Sequence, residues 1–305
     1  MPPSRRRMLW PLLLWSLGAW TSAAGAAVLV LVDEGEGRSV AFASILDGIR
    51  DASADAEIRL IGPDGLPPAL AAADARDGVI VLGRALLERP LETDPDAPVL
   101  LGGFSGTVDA LPTRPRVSLN IDPAYALAQI EKTGPAITRL STVLPPRALT
   151  RPDIVRLAAL PGVPTKRLSV ASGERAVARA WFDTIATVEG PEEALWVVDD
   201  DELDGSGTYR YLVERAWRED RLVVSIVPRY ASRGVAIGFI PDLPAYGRLL
   251  VRSVRRLAED PGHVPEPLLG AGTVRRVFNR RTLEHIGRRL PDDLDREGRD
   301  DVVIE

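Results

Sequence analysis

The chain has 305 residues, of which 45% are hydrophobic and 27% are charged, and it carries a formal net charge of −5 with a pI near 5.4. This length is enough for one large domain or two medium ones, and the acidic balance argues against a nucleic-acid partner. Because the sequence contains no cysteine, it excludes disulfides, thiolate nucleophiles, zinc–sulfur sites and a lipid-accepting cysteine.

The first residues follow the order of a secretory signal peptide. The basic stretch Arg5-Arg6-Arg7 precedes the apolar run 8–20, and small residues follow up to the expected cleavage box Ala24-Gly25-Ala26. This run is shorter than the roughly 20 residues that span a bilayer, and no later stretch is long and apolar enough either. We predict that residues 1–26 are removed and that the mature chain works untethered in the periplasm. Arg5-Arg6 also loosely matches a twin-arginine signal, which leaves the export route open.

Short runs rich in Val, Ile and Leu predict strands in the first part of the chain, at residues 27–32, 57–61, 78–82, 98–101 and 116–119. The first and third runs are continuously apolar, as expected for strands buried on both faces. Between the first two, residues 38–52 show a helical period with one apolar face. This order is the strand–helix–strand unit of a parallel sheet.

The pattern restarts with a predicted helix at 123–132, which has proline in its first turn. Strands are predicted at 138–144, 168–171, 194–198, 222–227, 234–240 and 273–278, and helices at 174–188, 208–219, 245–258 and 282–286. Pro-rich stretches such as 63–68 and 145–152 read as interruptions, and the last ten residues look loose. The sequence therefore predicts an α/β fold with two doubly wound parallel sheets in tandem.

The second half of the chain carries a series of short motifs in a fixed order: Asn120-Ile121-Asp122-Pro123, Ala194-Leu195-Trp196-Val197-Val198-Asp199-Asp200, Arg233-Gly234-Val235-Ala236, Tyr246-Gly247 and Val277-Phe278-Asn279-Arg280-Arg281-Thr282. In this order they resemble the ABC-transporter substrate-binding family whose known members bind aromatic amino acids. The resemblance covers roughly residue 120 to the end, and before that it is architectural.

This resemblance implies the type I periplasmic-binding-protein fold, in which two lobes joined by three chain crossings hold a ligand in a cleft. The crossings would lie near residues 118–122, 238–242 and 269–273. Lobe one would then comprise residues 27–119 plus 241–268, and lobe two residues 120–240 plus 269–305.

The lining of such a cleft follows from the strand ends. In open parallel sheets the carboxyl ends of strands leave loops and helix N-termini whose N–H groups suit an anion. If both lobes aim these ends at the cleft, lobe one contributes Asp33, Glu34, Gly35, Gly83, Arg84, Phe104 and Ser105. Lobe two contributes Pro145, Pro146, Arg147, Ser172, Gly173, Asp199, Asp200, Arg229 and Tyr230.

The charged members of this set suit an amino-acid-like ligand. Asp199 or Asp200 would pair with an ammonium group, and Arg84 or Arg147 with a carboxylate. The alternative is structural, since an aspartate at a strand end often caps the next helix and a loop arginine is usually solvated.

Two aromatic members, Phe104 and Tyr230, would stack on an apolar ligand side chain. Two departures from the family also fall in this lining: the acidic loop 33–37, and Pro145-Pro146-Arg147 where a Ser/Asn pair is usual. The identity of the ligand is therefore left open.

No complete catalytic set is present. The stretch Gly102-Gly103-Phe104-Ser105-Gly106 is similar to a hydrolase nucleophile motif, but Thr107 stands where the motif needs glycine. Neither His263 nor His285 is placed as a catalytic base. We expect a binding protein without enzyme activity or cofactor.

Metal binding is not predicted either. The acidic residues from Asp200 onward begin like a calcium loop, yet Tyr211 stands where a bidentate glutamate is needed. Two histidines and no cysteine give no transition-metal cluster. The three tryptophans on apolar faces, Trp181, Trp196 and Trp217, are predicted to be core residues.

Together these features predict the periplasmic solute-binding component of an ABC-type importer. It would bind a small organic ligand, amino-acid-like or related, and would deliver it to a membrane permease. The alternative keeps the fold and changes the role to an extracytoplasmic sensory or accessory domain that signals to a membrane receptor.

Overall fold

The computed structural model describes residues 28–73, 78–88, 97–105, 114–163, 165–188, 190–198, 200, 202–203, 207–231, 233–294 and 301–304. The predicted signal peptide, residues 1–26, lies outside the described residues. Among the helices that are described, none is both long and apolar enough to cross a membrane.

The first part of the chain forms a four-stranded parallel sheet in the order β2-β1-β3-β4. Its elements are β1 (Val28–Asp33), α1 (Val40–Ala52), β2 (Glu57–Ile61), α2 (Leu66–Ala71), β3 (Gly78–Leu82), α3 (Arg84–Leu87) and β4 (Val99–Gly102). Strands β1 and β3 are buried along their whole length. Alternate residues of β1 enter two different apolar clusters, because both faces of the sheet are covered.

The rest of the chain forms a seven-stranded sheet in the order β11-β10-β9-β8-β7-β5-β6. Its strands are β5 (Arg139–Leu144), β6 (Thr165–Val170), β7 (Glu193–Val197), β8 (Leu222–Ser225), β9 (Ile237–Pro241), β10 (Val274–Asn279) and β11 (Val302–Ile304). The β9–β10 pair is antiparallel and the other pairs are parallel. The predicted class, an α/β fold with parallel-dominated sheets in two lobes, is confirmed.

The helices of this second part are α4 (Pro123–Glu131), α5 (Pro152–Ala158), α6 (Glu174–Ala186), α7 (Thr208–Arg218), α8 (Pro228–Ala231), α9 (Leu243–Glu259) and α10 (Arg280–His285). The prediction missed α2, α3, α5 and α8. Three of them, α2, α5 and α8, have a proline in the first turn, where the missing N–H costs nothing, so a Pro-rich stretch can begin a helix. Helix α3 has only four residues, too few for a helical period to show in the sequence. The predicted strand at 116–119 is wrong, because only an isolated bridge between Leu101 and Arg116 forms there.

Helix α9 packs against α1 with the two backbones in direct contact. A Cβ atom on Gly48 would lie 1.9 Å from the carbonyl oxygen of Pro244, and one on Gly247 would lie 2.1 Å from that of Ile45. Glycine is required at both positions because any side chain would push the helices apart. This contact holds α9 on the four-stranded sheet, although α9 follows a strand of the other sheet in sequence.

Three backbone segments cross between the sheets side by side. The first and third are joined by hydrogen bonds from Ser118 N to Pro267 O (2.9 Å), from Leu269 N to Asn120 O (2.8 Å) and from Asp122 N to Leu269 O (2.8 Å). The second and third are joined by a bond from Asp242 N to Thr273 O (2.9 Å) and by the β9–β10 pairing. The residue limits given above for the two lobes stay predictions.

The end of the chain is ordered by a buried ion pair. The prediction that the last ten residues are loose is wrong for 301–304, where Val302–Ile304 pairs with β10 as strand β11. The side chain of Arg276, on β10, is 0% exposed and its Nε donates to both carboxylate oxygens of Asp301 at 3.1 and 3.2 Å. The same guanidinium donates to Asp293 and Gln129, each at 2.9 Å. Two carboxylates therefore compensate one buried cation.

The change Asp301→Asn removes one of these two charges. We expect the free energy of unfolding to fall by about 3 kcal/mol, the low end of the range for a broken buried pair, because Asp293 still faces the guanidinium. Urea unfolding measures the change. The control is Asp292→Asn, since Asp292 is exposed and lies 4.0 Å from Arg289, and its loss should cost less than about 1 kcal/mol. Equal effects of the two changes would contradict the account.

Candidate ligand-binding site

Strand direction places the carboxyl ends of both sheets at the crossings. Strand β9 runs parallel to β8, and its carboxyl end, Pro241, leads into the second crossing. In the other sheet, the segment from Arg116 runs parallel to β4 and leads into the first crossing. Because parallel strands end at the same edge of a sheet, both carboxyl edges face the junction of the lobes. These two edges form the candidate binding site.

A connected set of hydrogen bonds holds the lobe-one edge together. At the end of β1, the Asp33 carboxylate accepts the N–H groups of Gly35 (2.9 Å) and Glu36 (3.0 Å). The Glu36 carboxylate accepts the N–H of Arg84 at 3.3 Å, and the Arg84 guanidinium donates to the carbonyl of Ser105 at 3.0 Å. The structure thus brings four predicted residues together and adds Glu36, which lies outside the predicted set.

Gly83 permits the close approach of β1 and β3 at this edge. It has a φ of +108°, and a Cβ atom there would lie 2.7 Å from the Cβ of Asp33. Both observations require glycine. Glu34 is exposed beside it, and its backbone N–H donates to Ile61 O at 3.1 Å.

The lobe-two edge is held in a similar way. The N–H of Gly173, before α6, donates to the Glu202 carboxylate at 2.8 Å. Asp200 is 1% exposed and accepts the N–H of Glu202 at 3.1 Å, while the hydroxyl of Tyr230 lies 3.5 Å from the Asp200 carbonyl. The guanidinium carbon of Arg229 lies 5.1 Å from the centre of the Tyr230 ring. Here too the structure adds a glutamate, Glu202, to the predicted set.

The remaining predicted residues of lobe two lie beside this group. Ser172 is exposed next to Gly173. Pro145 is buried at the end of β5, whereas Arg147 is exposed in the short 3-10 turn Pro146–Ala148 that follows. Asp199 lies outside the described residues.

Two helix N-termini at these edges are already occupied by carboxylates of the chain. The sequence predicts that such N–H groups receive an anionic ligand. In the structure, Glu36 is bonded to the first residue of α3 and Glu202 to the residue before α6. Sequence reasoning placed the acidic loop 33–37 in the lining without assigning Glu36 a role, and it left Glu202 out because it took strand ends as the lining of lobe two. Their signal was their position in acidic loops directly after β1 and β7.

The two rings expected to stack on a ligand are buried. Phe104 is 3% exposed and belongs to the apolar cluster beneath β3 and β4. Tyr230 is 0% exposed and stacks on Tyr209, with ring centroids 4.3 Å apart. In this conformation both rings support the fold of their own lobe and offer no face to a ligand.

Trp181 and Trp196 are buried, as predicted. Trp217 is not a core residue, because it is partly exposed and its ring stacks on His285 at 3.9 Å. Across the described residues, no three His, Asp or Glu side chains converge in a way that would hold a metal ion.

A surface depression elsewhere on lobe two is lined by Gly207, Tyr209, Arg210, Val213, Glu214 and Arg233, none of which is in the predicted set.

Two solved structures are similar to this chain over nearly its whole length. The ligand-free, open structure of a substrate-binding protein with adhesive properties from Clostridium difficile is 11% identical, covers 92% of this chain and 99% of its own, and gives a TM-score of 0.62. The ABC domain in complex with L-Trp from Streptococcus pneumoniae is 14% identical, covers 92% of this chain and 100% of its own, and gives a TM-score of 0.50.

This chain has a type I periplasmic-binding-protein-like fold. No protein-family model matches its sequence, and no curated protein does either. At 11% and 14% identity, these similarities show the fold of the chain and not its ligand.

The change Glu202→Gln keeps the shape of the side chain and removes its charge from the N-terminus of α6. We expect the free energy of unfolding to fall by about 0.3–1 kcal/mol, because a helix N-terminus favours a negative charge. Sulfate should then stabilise the variant more than the unchanged protein, since no carboxylate at position 202 repels a solvent anion from the Gly173 N–H. Thermal unfolding with sulfate, or with chloride at equal ionic strength, measures this difference.

The matched control is Asp183→Asn, because Asp183 is an exposed carboxylate within the same helix. Its variant should respond to sulfate as the unchanged protein does. If sulfate stabilises all three proteins equally, the Glu202 carboxylate does not occupy an anion site.

Proposed function

We propose that this chain is the solute-binding component of an ABC-type importer, and that it closes around a small organic ligand in the periplasm. The observation that carries the proposal is the placement of two carboxyl edges on either side of three hydrogen-bonded crossings. Three short backbone segments let two packed lobes rotate as rigid bodies. A ligand that contacts both edges would stabilise the closed arrangement.

The charges at the two edges favour a ligand with an amino group and an acid group. On lobe one, Glu34 is exposed next to Asp33 and Glu36, so this edge suits an ammonium group. On lobe two, the N–H of Gly173 is already bonded to a glutamate. We therefore assign the acid group to a guanidinium, and Arg147 is exposed at this edge.

The similar structures support a binding role. The Clostridium difficile protein is named as a substrate-binding protein, and the Streptococcus pneumoniae domain as an ABC domain in complex with L-Trp. The order of basic, apolar and small residues in 1–26 supports export. A membrane permease that recognises the closed form completes the proposal.

The test is a thermal-unfolding screen of the chain from residue 27 against amino acids, amines, organic acids, nucleosides and peptides. A compound that binds only the folded state raises stability, by about 2.7 kcal/mol at a hundred times its dissociation constant. We expect an amino-acid-like compound to do so. If none of the compound classes raises the unfolding temperature, the proposed function is wrong.

Once a stabilising amine-bearing compound is found, the change Glu34→Gln should weaken its binding about tenfold. The reason is the loss of a charge-assisted contact to the ammonium group. Glu57→Gln is the matched control, because Glu57 is also an exposed glutamate but lies at the amino end of β2, on the opposite edge of the sheet. Titration calorimetry should show a loss for Glu34→Gln alone. Equal losses of affinity in the two variants would show that Glu34 does not contact the ligand.

A further inference from the structure

We propose that Tyr246 is the residue that positions the lobe-one side of the binding site relative to the crossings. This role rests on the proposed function, because the binding site is part of that proposal, but the experiment that tests it needs no ligand. The proposal begins from one buried hydroxyl group that bonds to two distant parts of the chain.

Tyr246 lies in the first turns of α9, directly after the second crossing. Its side chain is 0% exposed. Its hydroxyl donates to the carbonyl of Val117 at 2.6 Å and accepts the N–H of Gly103 at 2.7 Å. Val117 directly precedes the first crossing, and Gly103 follows β4 at the carboxyl edge. One hydroxyl therefore links two crossings to a loop of the binding site.

The surroundings of this hydroxyl are closely packed. Burial raises the pKa of Tyr246 well above its usual value, so the group keeps its proton at neutral pH and can donate to the Val117 carbonyl. A Cβ atom on Gly102 would lie 2.9 Å from the hydroxyl oxygen, which shows how closely the backbone approaches it. Gly103 has a φ of +73°, and its N–H points to the hydroxyl at the centre of this loop.

From Gly103 the contacts continue across the whole edge. The carbonyl of Phe104 accepts the N–H of Leu119 at 2.7 Å, which ties the loop to the first crossing a second time. The next carbonyl, that of Ser105, accepts the Arg84 guanidinium at 3.0 Å, and the Arg84 N–H reaches the Glu36 carboxylate at 3.3 Å. A continuous set of hydrogen bonds thus runs from the crossings through Tyr246 to the acidic loop after β1.

The test is amide hydrogen exchange of the ligand-free protein with the change Tyr246→Phe. Phenylalanine fills the same space but leaves the Gly103 N–H and the Val117 carbonyl without their partner. We expect residues 83–88 and 102–105 to exchange about tenfold faster, the loss of one hydrogen bond, while the buried strands β1 and β3 keep their rates. The free energy of global unfolding is measured in parallel.

The matched control is Thr133→Val, which removes another fully buried hydroxyl. Thr133 donates to Ile130 O at 2.7 Å at the end of α4, away from the carboxyl edges. This variant should leave the exchange of 83–88 and 102–105 unchanged. Acceleration spread evenly over both lobes in Tyr246→Phe would mean that the hydroxyl only stabilises the fold, and no acceleration would mean that it positions nothing.

A second measurement uses the unchanged protein and does not depend on a variant that folds. The N–H groups of Gly103 and Arg84 should open together, with the same dependence on denaturant, because they belong to one bonded network. Different dependences would overturn the proposal. Failure of every compound in the ligand screen would instead contradict the proposed function and leave this exchange pattern intact.

Discussion

The backbone hydrogen bonds among the three crossings determine where the two sheets can meet. Ser118, Asn120 and Asp122 form three backbone hydrogen bonds with the segment 267–269, so the first and third crossings form one narrow ribbon. The second crossing joins it through Asp242 and the β9–β10 pair. Because strands β1 to β4 and β5 to β9 end at the edges that face this ribbon, it also sets the direction in which the loops after these strands point.

The loops at these edges are stiffened by the chain's own charges. Glu36 and Glu202 each bond to a backbone N–H at which a bound anion would be favoured, one on each lobe. A ligand carboxylate that displaced either glutamate would exchange one charge-assisted hydrogen bond for another, so it would gain little. Under the proposed function, an acid group of the ligand would therefore bind to guanidinium groups and not to these helix N-termini.

Much of the fold could be predicted from the sequence, because continuous apolar runs such as Gly78–Leu82 are typical of doubly buried strands. The end of the chain could not be predicted, since strand β11 depends on the contact between Asp301 and Arg276, which are far apart in sequence.

The site was predicted as a set of strand ends, and the structure does bring Asp33, Arg84 and Ser105 together. It could not be predicted that Tyr230 turns inward, because burial is decided by packing against Tyr209.

The proposed function requires the lobes to rotate about the crossings, and the absence of cysteine makes this rotation directly measurable. Cysteines introduced at Val40 on lobe one and Val155 on lobe two, which are 85% and 54% exposed, would carry two spin labels and no others. Pulsed electron resonance then gives the distribution of the distance between the lobes. A compound that stabilises the fold should shift this distribution to shorter distances. A distribution that no stabilising compound alters would contradict the account.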